Sequence, residues 1–313
     1  MIADYGFISG KFSLNSTVAI GNFDGVHLGH TVLIEHAKYI AKKNNTSVGV
    51  ITFDPNPIEH FQRNNEPFYL TSLQEKVSYI INKCGVDFVY IIKFSTISGL
   101  SAEDYFKKIL IDKLSVSGII VGENHMFGAN KAGNIETLKR LCKEYKVIIE
   151  PVLLHKHKDE TIISSGVIRD CIKSGDIKTA NKLLGRNFCI TGVVVRGSQI
   201  AGTALQHKTA NLFTEVRYVE PKYGVYAIFA KLNGVKYPAI ANFGIRPTFN
   251  HTNPHLEVHI LNHDLPDFYG ERISVEFIEY IRSEQKFSSI DDLKTQIYKD
   301  CQECVSILSD IKC

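Results

Sequence analysis

Between residues 17 and 153 short β-branched runs alternate with longer amphipathic stretches, and after Gly185 that alternation stops. The apolar runs occupy 17–20, 47–53, 87–94, 117–121 and 147–153, and stretches of helical spacing lie between them at 31–43, 73–83, 102–113 and 135–145. Strands separated by helices of this length make βαβ units, hence a parallel sheet covered on both faces. The spacing predicts a doubly wound, Rossmann-like domain. Two more helices are predicted at 165–174 and 177–184, each ending at a glycine stop, Gly175 and Gly185. Beyond them the segments 190–195, 224–232, 235–242, 255–261 and 273–281 read as strands with no helix between. Asn233-Gly234 joins two of these runs, a dipeptide that tolerates positive φ at both positions and so favours a tight hairpin. Several antiparallel strands in so short a stretch predict a small β-barrel, which leaves no open sheet edge. Helical period returns at 290–311 as one or two closing helices. The expected architecture is therefore α/β: a Rossmann-like domain with a parallel sheet over residues 1–186, and a small antiparallel β-barrel with a closing helix over 187–313.

Composition narrows the function classes. With 36 basic against 33 acidic side chains the net charge is +3, too small to grip nucleic acid or a membrane surface but compatible with anionic small ligands. At 44% hydrophobic and 22% charged residues the chain has enough apolar surface to fold into packed cores. No apolar stretch approaches the about 18 residues of a membrane span, and the first twenty residues lack an export pattern. Seven scattered cysteines, an odd number, fit reduced thiols. The expectation is a cytoplasmic protein, a monomer or weak homo-oligomer, acting on small molecules, with no nucleic-acid or membrane partner.

The densest chemistry follows the first strand. Gly21-Asn22-Phe23-Asp24-Gly25-Val26-His27-Leu28-Gly29-His30 contains neither a Walker A loop nor a GxGxxG fingerprint. Gly21 and Gly25 allow backbone to pass close to a ligand. His27 and His30, three residues apart at a helix start, share a face, and the helix N-terminus offers N–H groups and positive dipole to the same spot. That combination suits a triphosphate on which charge builds during attack. No cysteine or third histidine stands at ligand spacing, which argues against zinc.

This stretch resembles the HxGH nucleotidyltransferase superfamily, and the longer string resembles the adenylyltransferase half of the bacterial bifunctional riboflavin kinase/FMN adenylyltransferases, or FAD synthetases. The segment 52–57 (TFDPNP) is similar to the family's TFxPxP stretch; 122–128 (GENHMFG) with Ala132-Gly133-Asn134 resembles its flavin- and nucleotide-contacting loop; and 163–169 (ISSGVIR) resembles ISSTxIR. The resemblance implies ATP binding by Gly21, Asn22, Phe23, Asp24, Gly25, Ser164, Ser165 and Arg169, flavin contacts by Asn56 and Asn124, and His27 and His30 as the catalytic pair.

A second site is indicated in the barrel half. Thr209 and Asn211, two apart on an extended segment, project to one side and offer the oxygen donors a Mg²⁺ ion prefers. Alternation in 255–261 sets Glu257 opposite Leu256 and Val258, where a carboxylate can take a proton from an attacking alcohol. Here 209–212 (TANL) resembles the core of the flavokinase PTANL motif, 242–249 (NFGIRPTF) its NxGxRPTF turn, 268–270 (FYG) its LYG turn and 281–287 (IRSEQKF) its IRxExKF segment. The resemblance implies Glu257 as catalytic base, Gly197 and Gly202 in the ATP loop, Mg²⁺ at Thr209 and Asn211, and ATP, riboflavin, FMN and FAD as substrates or products.

The chain departs from the family where GRxLGFPTANL is usual: Thr203 replaces the basic residue, and Gln206, His207 and Lys208 replace Gly, Phe and Pro. Gly166 stands where the first half usually has Thr. The main expectation is a bifunctional enzyme making FMN and then FAD. Beside it stand a family member that keeps one activity, with the altered loop naming the kinase as the one lost, a non-catalytic flavin-binding or regulatory protein, and a tRNA-directed HxGH enzyme. The last lacks a KMSKS lysine pair. Cys301 and Cys304, in a helical stretch without a second CxxC, and His155 and His157, in a polar connector, are assigned no role.

Overall fold

The computed structural model describes residues 5–61, 66–153, 163–195, 210–245, 254–261, 268–309 and 311. They form two compact units, one of Met1–Glu66 and Thr71–Ser165, the other of Pro67–Leu70 and Gly166–Cys313.

The first unit is a six-stranded sheet in the order β1-β4-β3-β2-β5-β6, from β1 (Gly6–Gly10), β2 (Ser16–Ile20), β3 (Ser47–Asp54), β4 (Phe88–Lys93), β5 (Val116–Gly122) and β6 (Ile148–Val152). Every pair from β4 to β6 is parallel, while β1 runs antiparallel along β4 at the edge. The connecting helices are α1 (Leu28–Asn44), α2 (Pro57–Phe61), α3 (Leu73–Asn82), α4 (Ala102–Tyr105, continuing as π-helix over Phe106–Lys113) and α5 (Ile135–Tyr145). Burial on both faces explains the unbroken apolar strands. In β4, Phe88, Tyr90 and Ile92 pack into one core with Phe106, Leu110 and Leu138, while Val89 and Ile91 pack into the other with Ile34, Ala37 and Ile80.

In the second unit α6 (Ser165–Ser174, its first residue counted with the other unit) and α7 (Ile177–Leu184) precede a closed six-stranded antiparallel barrel in the order β10-β11-β8-β7-β12-β9. Its strands are β7 (Phe188–Val195), β8 (Ala210–Phe213), β9 (Gly224–Leu232), β10 (Val235–Gly244), β11 (His255–Ile260) and β12 (Arg272–Arg282). One helix, α8 (Ile290–Ser309), closes the unit. The Asn233-Gly234 hairpin forms as its sequence predicts, with φ of 49° and 85°. Asn181 pins α7 to the barrel: its amide donates to the Phe277 carbonyl at 2.8 Å and accepts the Phe188 N–H at 2.7 Å. The Rossmann-like domain, antiparallel barrel and closing helix expected from periodicity are all present. Strands β1 and β8 and helix α2 were not among the predicted elements.

Candidate active sites

Sheet order alone locates the first site. From β2 the chain winds outward to β3 and β4, then crosses back to β5 on the other side of β2, so the topology reverses between β2 and β5. Ligands of open α/β sheets bind outside the strand C-termini at such a point. The segment 21–30 leaves β2 there, with the turns after β3 and β5 beside it on the same edge.

His27 is the N-cap of α1, in extended geometry, and its Nδ1 accepts the His30 N–H at 3.3 Å. In the neutral ring that bond puts the proton on Nε2, which can then donate to a phosphate oxygen. The His27 and His30 rings stack with centroids 3.6 Å apart and planes 17° from parallel. A Cβ on Gly29 would lie 3.2 Å from the His27 ring, so the small residue between the two histidines keeps the stack close.

The bend before them is braced from below. Phe23 and Val26 are fully buried and sit at positive φ, as does Gly25. With no exposed surface, Phe23 anchors the bend from within. Asp24 is buried, its carboxylate accepting the Thr71 N–H at 3.4 Å and its carbonyl the Ser165 hydroxyl at 2.9 Å. The Asn22 carbonyl accepts from the Thr52 hydroxyl at 2.9 Å and from the Lys76 ammonium at 3.2 Å. Burial pulls the Lys76 amine down to about 8, opposed by Asp24 and Asp54, and burial raises the Asp54 carboxyl, opposed by Lys76. Thr52 stands within the TFxPxP match; Lys76, three residues after Leu73 and four before Ile80, falls on the apolar stripe of the helix, a signal masked by its being a lysine.

Of the other predicted residues of this half, Ser165 is tied to the bend through the Asp24 carbonyl. Asn56 is buried and its side-chain oxygen accepts the Ile58 N–H at 3.0 Å, capping α2. Asn124 is exposed in the turn after β5, next to His125, whose imidazole burial drives down to about 4. Ser164 and Ser165 are half-buried in the first unit. Arg169 belongs to the second unit, where its Nε donates to the Phe68 carbonyl at 2.8 Å and its guanidinium lies 3.8 Å over the Phe68 ring.

In the barrel, register brings three polar residues into one row. Glu257 on β11 pairs directly with Asn211 on β8 and with Asn242 on β10, and residues opposite one another in a sheet share a face. Leu256 and Val258 are buried on either side, as alternation requires. Glu257 and Asn242 line a cavity of about 260 Å³ whose walls include Ile240, Phe287, Leu293 and Ile297. Arg282 and Asp300 line it too: Nε lies 2.8 Å from Oδ1 and Nη2 2.6 Å from Oδ2, and Gln296 also donates to Oδ1. Asn242 and Arg282 stand within the NxGxRPTF and IRxExKF matches, whereas Asp300 lies in a helical stretch that carries no motif.

Gly197, Gly202, Thr209 and the departures at Thr203, Gln206, His207 and Lys208 lie outside the described residues, as do His155 and His157. Gly166 is exposed. Among the described residues no group of three His, Cys, Asp or Glu side chains is arranged to hold a metal, and no helix is long and apolar enough to cross a membrane.

Residues 11–166 match the family described as FAD synthetase, and residues 184–308 match the family described as riboflavin kinase. The bifunctional riboflavin kinase/FMN adenylyltransferase of Buchnera aphidicola subsp. Schizaphis graminum (strain Sg) is 42% identical over 298 residues, covering 93% of this chain and 94% of that one. Proteins of the same description from Escherichia coli (strain K12) and Bacillus subtilis (strain 168) are 36% and 33% identical, covering 90% and 95% of this chain and 90% and 94% of theirs. A crystal structure described as a macrolide-efflux protein from Streptococcus pneumoniae superposes with a TM-score of 0.83 at 30% identity, covering 94% of this chain and 95% of that one.

Proposed function

The chain belongs to the bifunctional riboflavin kinase/FMN adenylyltransferase family, and we propose from its two sites which residues carry each reaction. The two activities are ATP-dependent phosphorylation of riboflavin to FMN and adenylylation of FMN to FAD. We assign adenylylation to residues 1–186 and phosphorylation to 187–313.

In adenylylation the FMN phosphate attacks the α-phosphate of ATP and pyrophosphate leaves. Negative charge grows on the α-phosphate oxygens, and His27 and His30 stabilise it from the head of α1. The close stack of these two rings, presented where the N-terminal dipole is positive, is the main support for this assignment. Residues 21–25 bind ATP through their backbone. Ser164 and Ser165, with Arg169 as the resemblance assigns it, hold the β- and γ-phosphates, and Asn56 and Asn124 face the flavin.

In phosphorylation Glu257 accepts the proton of the ribityl 5′-hydroxyl as that oxygen attacks the γ-phosphate. The row of Asn211, Glu257 and Asn242 beside an apolar cavity supports this placement. Neutral and carboxylate oxygens in one row suit a hard cation that also takes phosphate ligands. Thr209 and Asn211 would hold Mg²⁺, which when bound offsets charge on the transferred phosphoryl group. Gly197 and Gly202 belong to the ATP loop. We further assign the chain to the cytoplasm, as a monomer or weak homo-oligomer that engages neither nucleic acid nor membrane.

The test is to incubate purified protein with riboflavin or FMN, ATP and Mg²⁺ and to separate the flavins. Wild-type protein should make FMN from riboflavin and FAD from FMN. His27→Ala should slow only the second step, by about 10²–10³-fold, the cost of removing one donor from a developing oxyanion. Glu257→Gln should slow only the first, by about 10²–10⁴-fold. Full activity in either variant would remove that residue from its role.

A further inference from the structure

Helix α3 carries a lysine on its core side. Lys76 and Ile80, four residues apart, are its buried positions, and Lys76 is only 4% exposed. An ammonium at such a position costs folding free energy that a leucine or methionine of similar volume would not. The capping box of Ser72 and Glu75 fixes where α3 begins, and so places the amine under the bend after β2. There Nζ donates to the Asn22 carbonyl at 3.2 Å and the Thr52 hydroxyl at 3.1 Å, while Thr52 donates to that same carbonyl at 2.9 Å. One backbone oxygen thus takes two donors from two different elements. The acids that act on Lys76 are Asp24 from the bend and Asp54 from the end of β3, with Glu59 on α2 acting on Asp54 in turn.

The peptide linking Asn22 to Phe23 is trans. A trans peptide points its C=O and N–H in opposite directions, so a carbonyl held toward the ammonium turns the Phe23 N–H away from it. The same cation offsets the negative charge of two carboxylates lying close to where a triphosphate would come.

We propose that Lys76 is a positioning residue for adenylyl transfer: its buried ammonium fixes the bend through the Asn22 carbonyl and balances Asp24 and Asp54, so that backbone N–H groups rather than net negative charge meet ATP. The proposal rests on the assignment of residues 21–25 to ATP. It gives the pH dependence a sign. The amine is charged below its lowered pKa of about 8 and loses its proton as pH rises through that value, so ATP binding weakens on the alkaline side.

The two-unit chain supplies its own control, since riboflavin phosphorylation is assigned to the other unit. Lys76→Met should raise KM for ATP in the FMN-to-FAD reaction at least tenfold at pH 7, lower kcat less than threefold, and leave FMN formation from riboflavin unchanged. In wild-type protein kcat/KM for ATP should fall above about pH 8, and in Lys76→Met that fall should be absent. Lys76→Arg, charged at every pH used, should keep a near-normal KM and show no such fall over that range. A wild-type KM and an unshifted alkaline fall in Lys76→Met would overturn the proposal. Should Lys76→Met fail to fold, an unshifted fall in Lys76→Arg overturns it equally. Parallel assay of His27→Ala separates the two claims: an inactive His27→Ala beside an unaffected Lys76→Met sinks only the lysine, whereas a fully active His27→Ala removes the site on which it rests.

Discussion

Gly29 contributes by what it lacks. A methyl group there would stand 3.2 Å from Cε1 and Nδ1 of His27 and 3.4 Å from the Ile163 carbonyl, so alanine forces the ring to give by a few tenths of an ångström. Alanine is also the better helix former, by up to about 1 kcal/mol in a helix interior. Gly29→Ala should therefore lower kcat for FAD formation about tenfold while the thermal midpoint holds or rises, because small misplacements of a catalytic group are costly. Thermal melts beside FMN-to-FAD kinetics check this, and an unchanged kcat would mean that the stack tolerates the displacement. At this scale the sequence was most legible where chemistry is contiguous: two histidines and three glycines within ten residues announce a ligand-facing helix start. It was least legible at Lys76. Its role comes from burial against a strand and a bend far away in sequence, and the one local sign in LQEKVSYIIN is its place on the apolar stripe with Leu73, Val77 and Ile80, which does not say what the amine meets. Phe23 sits between these cases, a motif residue whose ring turns out to anchor the bend.

Among elements, α8 matters to the barrel through one ion pair. Asp300 is almost fully buried and Arg282 largely so, and two of the guanidinium nitrogens reach the two carboxylate oxygens. The pair ties the end of β12 to α8, and Glu257 lines the same cavity. Removing one partner of a buried pair leaves the other charge uncompensated; Arg282 keeps some solvent access, which moderates the loss to about 2–3 kcal/mol. Asp300→Ala should therefore lower the stability of the barrel unit by that amount and raise KM for riboflavin several-fold, with FMN adenylylation untouched. Denaturant unfolding and the two flavin assays test it together, and an unchanged KM would detach α8 from flavin binding. The elements themselves were read well wherever period and length were both strong, as in β3, β4, β9 and α5. Three escaped for physical reasons. Strand β1 is a five-residue edge with glycine at both ends, β8 has four residues with a polar one among them, and α2 is a single turn after a proline-rich stretch.

For the molecule as a whole, periodicity revealed the two architectures because each keeps its own hydrophobic repeat over many residues. It did not reveal that Pro67–Leu70 packs with the second unit, where the Phe68 and Tyr69 N–H groups both donate to the Arg217 carbonyl and the Val219 N–H donates to Tyr69. Pairings across about 150 residues leave no local trace. The paired histidines and the barrel carboxylate, by contrast, fall in different units: His27, His30, Asp24 and Ser165 belong to one, and Asn211, Glu257, Arg282 and Asp300 to the other. Because His27 and Glu257 belong to different units, a substitution at one leaves the other in place, and the two reactions should separate between chains. A His27→Ala chain given riboflavin and ATP should stop at FMN. A Glu257→Gln chain should make no FAD from riboflavin but make it from added FMN. Mixed in equal amounts, the two should convert riboflavin to FAD after a lag that lengthens on dilution, because FMN must leave one chain and reach the other through solution. A mixture that accumulates FMN and never forms FAD, although the Glu257→Gln chain still adenylylates added FMN, would show that FMN made by one chain is not delivered to another, and that the activities depend on residing in the same polypeptide.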